Sequence, residues 1–433
     1  MRSLFITAIY CSFFLYGLRA PFVFLLGYVW VDIFTPQLVA YTILPSIPVS
    51  FLIGVATLAS IFFIPKNRPF RLPTLSTLII IFGIYMTLSL LWAVVPDFAY
   101  EKWDRAIKSI LIASLIPLIL RGKVEIEAFV WIIVLAGMAH CIPFGIKVLI
   151  DGGGYGQAKG LVAGNSGYGE GSTLAMFAVS LVPFMLFLLK NSLIIPTGRL
   201  LKIPLMSFVF LAFLTSLGTF ARTGLVSAAV LGISLFYYAK RKIVYGVVAF
   251  VVTITLAGIM GANWSQRMST IGDSSEGSAM GRVAVWMWTL DYVSTHPFGG
   301  GFSVNSINEF TLPLDNGTLL TVKGKAAHSV YFEILAELGY PGLFLFFLIV
   351  INIFIAHAKI SKLGKLHDDQ WTQDLSKAII QALLVFLAGG AFIGIAFQSY
   401  FYYLAALAAS LLVISKKTYK TNSNGQASLV TSR

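Results

Sequence analysis

Charge is what this chain has least of. Asp, Glu, Lys and Arg make up 11 % of its 433 residues, where a soluble globular domain carries about a quarter. That shortage excludes a soluble fold, and a mean hydropathy of +0.85 agrees. Cysteine is nearly absent. Cys11 and Cys141 are the only two, both in apolar stretches, which argues against a disulfide framework or a cysteine-based metal site. No Walker loop, no HExxH and no Cys/His cluster occurs. The apolar runs hold almost no Asp or Glu, against a proton- or sodium-coupled pathway lined by carboxylates. The one adjacent carboxylate pair, Asp368-Asp369, falls opposite the candidate site, so a nucleotide-sugar transferase with a metal-bound Asp motif has little support. Alternating ten-residue segments are missing too, which argues against a membrane β-barrel.

What the chain does have is long apolar runs. At roughly 20 residues per crossing, candidate spans are 3–35, 41–64, 74–95, 104–120, 126–149, 172–190, 203–219, 222–239, 243–261, 340–356, 376–396 and 398–415. The fold expected is all-α, a polytopic transmembrane helical bundle of about 12 spans. The first run is broken at Gly17-Leu18-Arg19-Ala20-Pro21 and could cross once or twice. Met1–Leu18 lacks a small-residue cleavage site and reads as a retained helix.

The 31 basic and 18 acidic residues leave a net charge of +13. In a soluble protein this would hint at nucleic acid; here it sets topology. Lys66, Arg68, Arg71, Arg121, Lys123, Lys190, Arg199, Lys202, Lys240-Arg241-Lys242, Lys359, Lys362, Lys365, Lys416, Lys417 and Lys420 all fall on one side if the spans alternate. The positive-inside rule makes that side cytoplasmic.

The opposite face carries three notable segments. One is Pro96–Trp103 with Asp104, Arg105 and Lys108 just beyond it. The second is the glycine-rich loop Asp151–Gly171, for which flexibility is the expected role. The third runs from about Ala262 to Leu338 and holds Trp264, Trp286, Trp288, Tyr292, Phe298, Phe302 and Phe310. A loop this long is usually functional or disordered, and its aromatic content predicts a small ordered, helical domain.

Three residues stand out chemically. Arg222 sits at a helix end in SLGTFARTGLVSAAV, with Ser216, Thr219 and Thr223 forming a polar stripe beside it; it either snorkels or binds an anion. Arg282 opens a short amphipathic helix from Gly281 to about Ser294. A cation there opposes the helix dipole, which makes more sense if an anion docks beside it. His328, in AAHSVYFEILAELGYPG, is expected to ride on a short surface helix with Tyr331, Phe332 and Leu335, with Glu333 and Glu337 on another face. Gly339-Tyr340-Pro341-Gly342 then breaks that helix. A histidine titrates near neutral pH, which suits a general base.

The order and spacing of TSLGTFARTG, Gly281-Arg282 followed by HPFGGGF, and HSVYFEILAELGYPG resemble the O-antigen ligase and polymerase superfamily of bacterial inner membranes, which includes the O-oligosaccharyltransferases. The likeness covers roughly residues 200–356. The YEKWDRAIK segment resembles the ligase-like branch associated with exosortase systems. The resemblance implies a glycan donor on undecaprenyl pyrophosphate, attack by an acceptor hydroxyl on the anomeric carbon, and no metal or other cofactor. By the match, Arg222 and Arg282 hold the pyrophosphate, with Arg267, Arg105 and Lys108 as further contacts, and His328 activates the acceptor. The acceptor is lipid A-core for a ligase, a lipid-linked repeat for a polymerase, or a protein Ser, Thr or Tyr for an oligosaccharyltransferase. The histidine-bearing segment and the N-terminal segment favour ligase. The domains expected are an N-terminal bundle 1–261, a large periplasmic loop 262–338 with amphipathic helices, C-terminal membrane helices 339–415 and a cytoplasmic tail 416–433. The location implied is the inner membrane, multi-pass, with a periplasmic active face. The partners implied are the lipid-linked glycan, its acceptor and membrane lipids, and no nucleic acid. From other classes, a lipid-linked glycan transporter or a non-catalytic assembly component shares the size and helix content.

Overall fold

The structure, a computed structural model, describes residues 1–63, 72–154, 167–239, 242–243, 277–313 and 319–430. Arg267, Lys66, Arg68, Arg71, Lys240 and Arg241, most of the run 243–261 and the centre of the glycine-rich loop lie outside the described residues.

The elements are α1 (Arg2–Gly17), α2 (Phe22–Phe34), α3 (Pro36–Val39), α4 (Val49–Ser60), α5 (Thr74–Leu88), α6 (Pro96–Ile119), α7 (Lys123–Asp151), α8 (Gly171–Asn191), α9 (Arg199–Gly218), α10 (Arg222–Tyr238), α11 (Gly277–Thr295), β1 (Glu309–Pro313), β2 (Leu319–Lys323), α12 (Val330–Leu366), α13 (Gln370–Gly390) and α14 (Ser399–Val430). Among the described residues, six helical stretches are long and apolar enough to cross a membrane: Thr74–Trp92, Lys123–Ile150, Gly171–Asn191, Arg199–Gly218, Val330–Leu366 and Ser399–Thr418. Shorter apolar helices cover Arg2–Gly17, Phe22–Phe34, Val49–Phe63 and Arg222–Tyr238.

The first apolar run breaks where expected, and the chain then turns back on itself. Arg2 Nη2 donates to the Val39 carbonyl at 2.9 Å and the Tyr41 amide to Ser3 Oγ at 3.0 Å. Phe13 and Trp30 meet at 5.5 Å between ring centroids. Residues 2 and 39 therefore share one end, so the segment goes and returns rather than crossing once.

Two boundaries differ from expectation. The run expected at 104–120 extends back to Pro96, so YEKWDRAIK is helical. Proline at the first helical position and Asp97 in the first turn are starting signals that hydropathy alone passes over. The run 376–396 stops at Gly390, and residues 391–398 form an irregular connection into α14.

The loop expected to be helical also contains a β-hairpin, with Phe310 opposite Val322 and Thr311 opposite Thr321. The sequence signal is the β-branched residues in both strands.

Charge parity recurs as contact. Lys123 pairs with Asp369 at 2.6 Å and Lys190 with Asp374 at 2.6 Å. The buried Glu127 carboxylate accepts from Ser192 Oγ and from the amides of Leu193 and Ile194. Asp369 also caps α13 by accepting from the Thr372 amide. The pair Asp368-Asp369 thus lies at the lysine end of the bundle. α12 has 37 residues, about 55 Å at helical rise if straight, and carries the chain from the His328 end to this one.

Candidate functional site

The site is built around a kink. Within α12, Gly339 has φ +64° and ψ −164°, and Pro341 follows. Proline has no N–H, so the Glu337 carbonyl loses its helical donor. Tyr340, the helical donor to Ala336, gives its N–H to Pro297 instead, at 3.0 Å. Both stranded carbonyls are taken by the glycine triplet: Gly300 N–H donates to Ala336 and Gly301 N–H to Glu337, at 3.0 and 2.9 Å. The approach is too close for side chains. A Cβ on Gly299 would lie 2.5 Å from the Gly339 nitrogen, and one on Gly301 would lie 2.6 Å from Ala93 Cα. Both have φ +76°, a conformation suited to glycine. HPFGGGF and ELGYPG are therefore two halves of one joint.

That joint aims the residues around His328. Contrary to expectation, His328 does not ride on the helix. It precedes α12, in the left-handed region at φ +47°. The irregular segment before it is held by the buried Asn308, whose Nδ2 donates to the Lys325 carbonyl at 2.7 Å and whose Oδ1 accepts the Lys325 amide at 2.9 Å. Trp286 on α11 donates to the Ala327 carbonyl at 2.9 Å and stacks on Phe332 at 5.0 Å. Trp286 thus ties α11 to the histidine segment. Burial pushes the His328 pKa below its ordinary value. The Arg282 charge lowers it further, Glu170 opposes, Lys325 lowers it and Glu333 opposes.

His328 lines a cavity of about 440 Å³ together with Glu170, Thr173, Asn305 and Glu337. A second cavity of about 520 Å³ adjoins it. The two share Lys102, Gly167, Glu333, Gly394, Ile395 and Gln398. At their boundary Lys102 Nζ sits 2.6 Å from Glu333 Oε1 and 2.8 Å from Glu337 Oε1. Glu333 Oε2 accepts the Ala396 amide and Glu337 Oε1 the Ser303 amide.

Arg282 lies near enough to His328 for its charge to lower the His328 pKa. Arg282 sits inside α11, which begins at Gly277, so the objection from the helix dipole falls away. Arg105 and Lys108 line the adjoining cavity, where each is paired within α6, Arg105 with Glu101 at 3.5 Å and Lys108 with Asp104 at 2.6 Å. Arg222 is partly buried and opens α10. It is not part of the lining, but its helix start packs on α8: a Cβ on Gly224 would lie 3.2 Å from Ala175 Cβ. The expected polar stripe does not form on one helix. Phe220, at φ +53°, turns the chain between α9 and α10, and Thr219 caps that corner by accepting the Ala221 amide. Gly154 N–H donates to the Gly218 carbonyl at 2.9 Å, so the start of the glycine-rich loop packs on the same corner.

Sequence reasoning missed Glu170, Lys325, Lys102 and the Glu333/Glu337 pair. Lys325 lies across Gly281, where a Cβ would stand, next to Arg282. Glu170 caps α8, accepting from Thr173 N and Oγ1. Only the i, i+4 spacing of the two glutamates was visible as a signal.

Residues 207–347 match the O-antigen ligase family. Residues 1–193 match a family of unknown function, DUF5935. No curated protein matches the chain.

Proposed function

Residues 207–347 belong to the O-antigen ligase superfamily, and from that premise we propose that this membrane protein moves a glycan from undecaprenyl pyrophosphate to an acceptor hydroxyl. The observation that carries the reading is a histidine on the wall of a cavity, with Lys102 on the same wall and with its pKa lowered by burial and by the Arg282 charge. The acceptor O–H gives its proton to the His328 imidazole as its oxygen bonds to the anomeric carbon. The bond from that carbon to the pyrophosphate oxygen breaks, and the lipid pyrophosphate leaves with the electron pair. Arg282 and Lys325, the cations whose charge His328 feels, compensate the charge that develops on it, with Arg222 at the start of α10 as the further contact that the family resemblance implies. Arginine suits this task because its planar fork grips two phosphate oxygens at once. Residues 262–338 would face the periplasm of the inner membrane, and lipid A-core would be the acceptor in the ligase reading.

Gel analysis of surface polysaccharide and lipid-linked intermediates in a deletion strain tests this. Full-length chains stranded on the carrier mean a ligase or an oligosaccharyltransferase. Single repeats carried through to the acceptor mean a polymerase. Unchanged profiles sink glycan transfer and favour the transporter.

Two further outcomes are expected. Arg282→Lys keeps the charge but loses the fork, so kcat/KM for the donor should fall about tenfold or more; full activity would count against bidentate binding. The second concerns pH. A base whose pKa is lowered stays neutral, and so active, further into acid. Arg282 and Lys325 each lower the His328 pKa, so Arg282→Gln or Lys325→Gln should move the acid limb of kcat/KM to higher pH. An acid limb at wild-type pH in both variants would disconnect it from His328.

A further inference from the structure

α12 folds back on itself at its kink. Along a straight helix Tyr331 and Phe347 would stand about 24 Å apart, yet their rings stack at 5.8 Å between centroids. The stretch before Gly339 therefore lies beside the stretch after it. α11 accompanies that fold-back. Its Trp286 stacks on Phe332, and just past its end the Pro297 carbonyl accepts the Tyr340 amide. α11 thus runs alongside the first turns of α12, and its early turns sit near the depth of Phe347, below the kink.

At that depth α11 is apolar on two sides. Val285 and Val293 are fully buried against the protein. Val283, Met287 and Leu290, at i, i+4 and i+7, form a second stripe on another side. This second stripe is exposed, Met287 to 62 %. A helix apolar on two sides needs two apolar surroundings, and the protein supplies one. Continuity identifies the other. Phe298, just past α11, is exposed next to Tyr340, and the exposed face of α12 continues through Phe344, Phe347 and Ile351. Those residues belong to Val330–Leu366, a stretch long and apolar enough to cross a membrane. Their face meets lipid, and the α11 stripe extends it.

We propose that α11 is seated in the bilayer leaflet at the His328 end, with Val283, Met287 and Leu290 against the acyl chains of its phospholipids. The helix lies between lipid on one side and the histidine segment on the other. Trp286 carries the seat inward, since its indole N–H holds the Ala327 carbonyl next to His328. The proposal rests on the membrane reading of the chain and not on glycan transfer.

The test uses the full chain in nanodiscs of phosphatidylethanolamine and phosphatidylglycerol. The exposed Cys11 is replaced by serine and the buried Cys141 by alanine. Met287→Cys and Leu290→Cys then each carry a nitroxide label. Phe344→Cys on the lipid face of α12 and Thr321→Cys on the exposed hairpin serve as references. Collisions with oxygen, which concentrates in hydrocarbon, are compared with collisions with a water-soluble nickel chelate. The oxygen-to-nickel ratio at Met287 and Leu290 should match that at Phe344 and exceed that at Thr321. A ratio like that at Thr321 would mean that water covers the stripe, and it would overturn the seat. Few collisions with either reagent would mean that protein covers it, as a second copy of the chain would, and that also overturns the seat. Met287→Asp sets a carboxylate against acyl chains, which is costly. It should lower the thermal midpoint in nanodiscs, whereas Met287→Leu should not. An unchanged midpoint for Met287→Asp would count against acyl contact.

Discussion

His328→Asn abolishes glycan transfer while the protein remains folded and membrane-inserted: this is the expected result with the largest effect on activity. General-base catalysis is worth about 10²–10⁴-fold, so the residual rate should be about a thousandth of wild type. Asparagine is the informative replacement because it tolerates the left-handed backbone that His328 adopts at φ +47°. The segment before it is fixed by Asn308 at Lys325 and by Trp286 at Ala327, so the substitution removes the imidazole and leaves its support. Full-length glycan should accumulate on the lipid carrier in the complemented deletion strain. Normal transfer by the variant would remove the catalytic role and bring the transporter forward.

The largest effect on stability is expected from Lys102→Met. Lys102 holds two carboxylates one helical turn apart, and Glu337 is only 1 % exposed. Without the lysine, both are left facing each other across the cavity boundary. Removing one partner from a buried charge cluster typically costs about 3–5 kcal/mol, enough to deplete a membrane protein from the cell. Methionine retains most of the side-chain volume, so packing loss contributes little. The variant should show a sharply lower thermal midpoint in detergent. Adding Glu337→Gln in the same chain should recover much of it, because a neutral amide next to Glu333 relieves the repulsion. A wild-type midpoint for Lys102→Met would mean that the triad is not structural. Failure of Glu337→Gln to rescue would mean that the lysine acts through something other than these two carboxylates.

The class of the protein was legible in its composition, because burying apolar helices in lipid demands a bias that no soluble chain shows. So were most helices, the break at residues 17–21 and the interruption at Gly339, since hydropathy runs and proline or glycine breaks act over a few residues. The basic side of the bundle was legible too, and Lys123, Lys190, Asp369 and Asp374 do meet at one end. The motif HPFGGGF was visible as a pattern without its cause. Its glycines answer two carbonyls stranded by a kink some 35 residues away, and only the folded chain shows the two together.

The composition of the site was decided by packing alone. Lys102 and Glu333 lie 231 residues apart, and nothing local in YEKWDRAIK or HSVYFEILAELGYPG says that one helix start will bring its lysine to the other's glutamates. The same segment offered Arg105 and Lys108 as freer cations, yet these pair within their own helix. Glu170 and Lys325 were passed over because each sits in an irregular segment where periodicity carries no information. Sequence by itself determined the solvent the chain lives in, the helices it forms and the chemical types available at one end. Tertiary structure decided which of those groups share a cavity, because electrostatic and hydrogen-bonding partners are chosen by distance in space, and distance in space is set by how the helices pack.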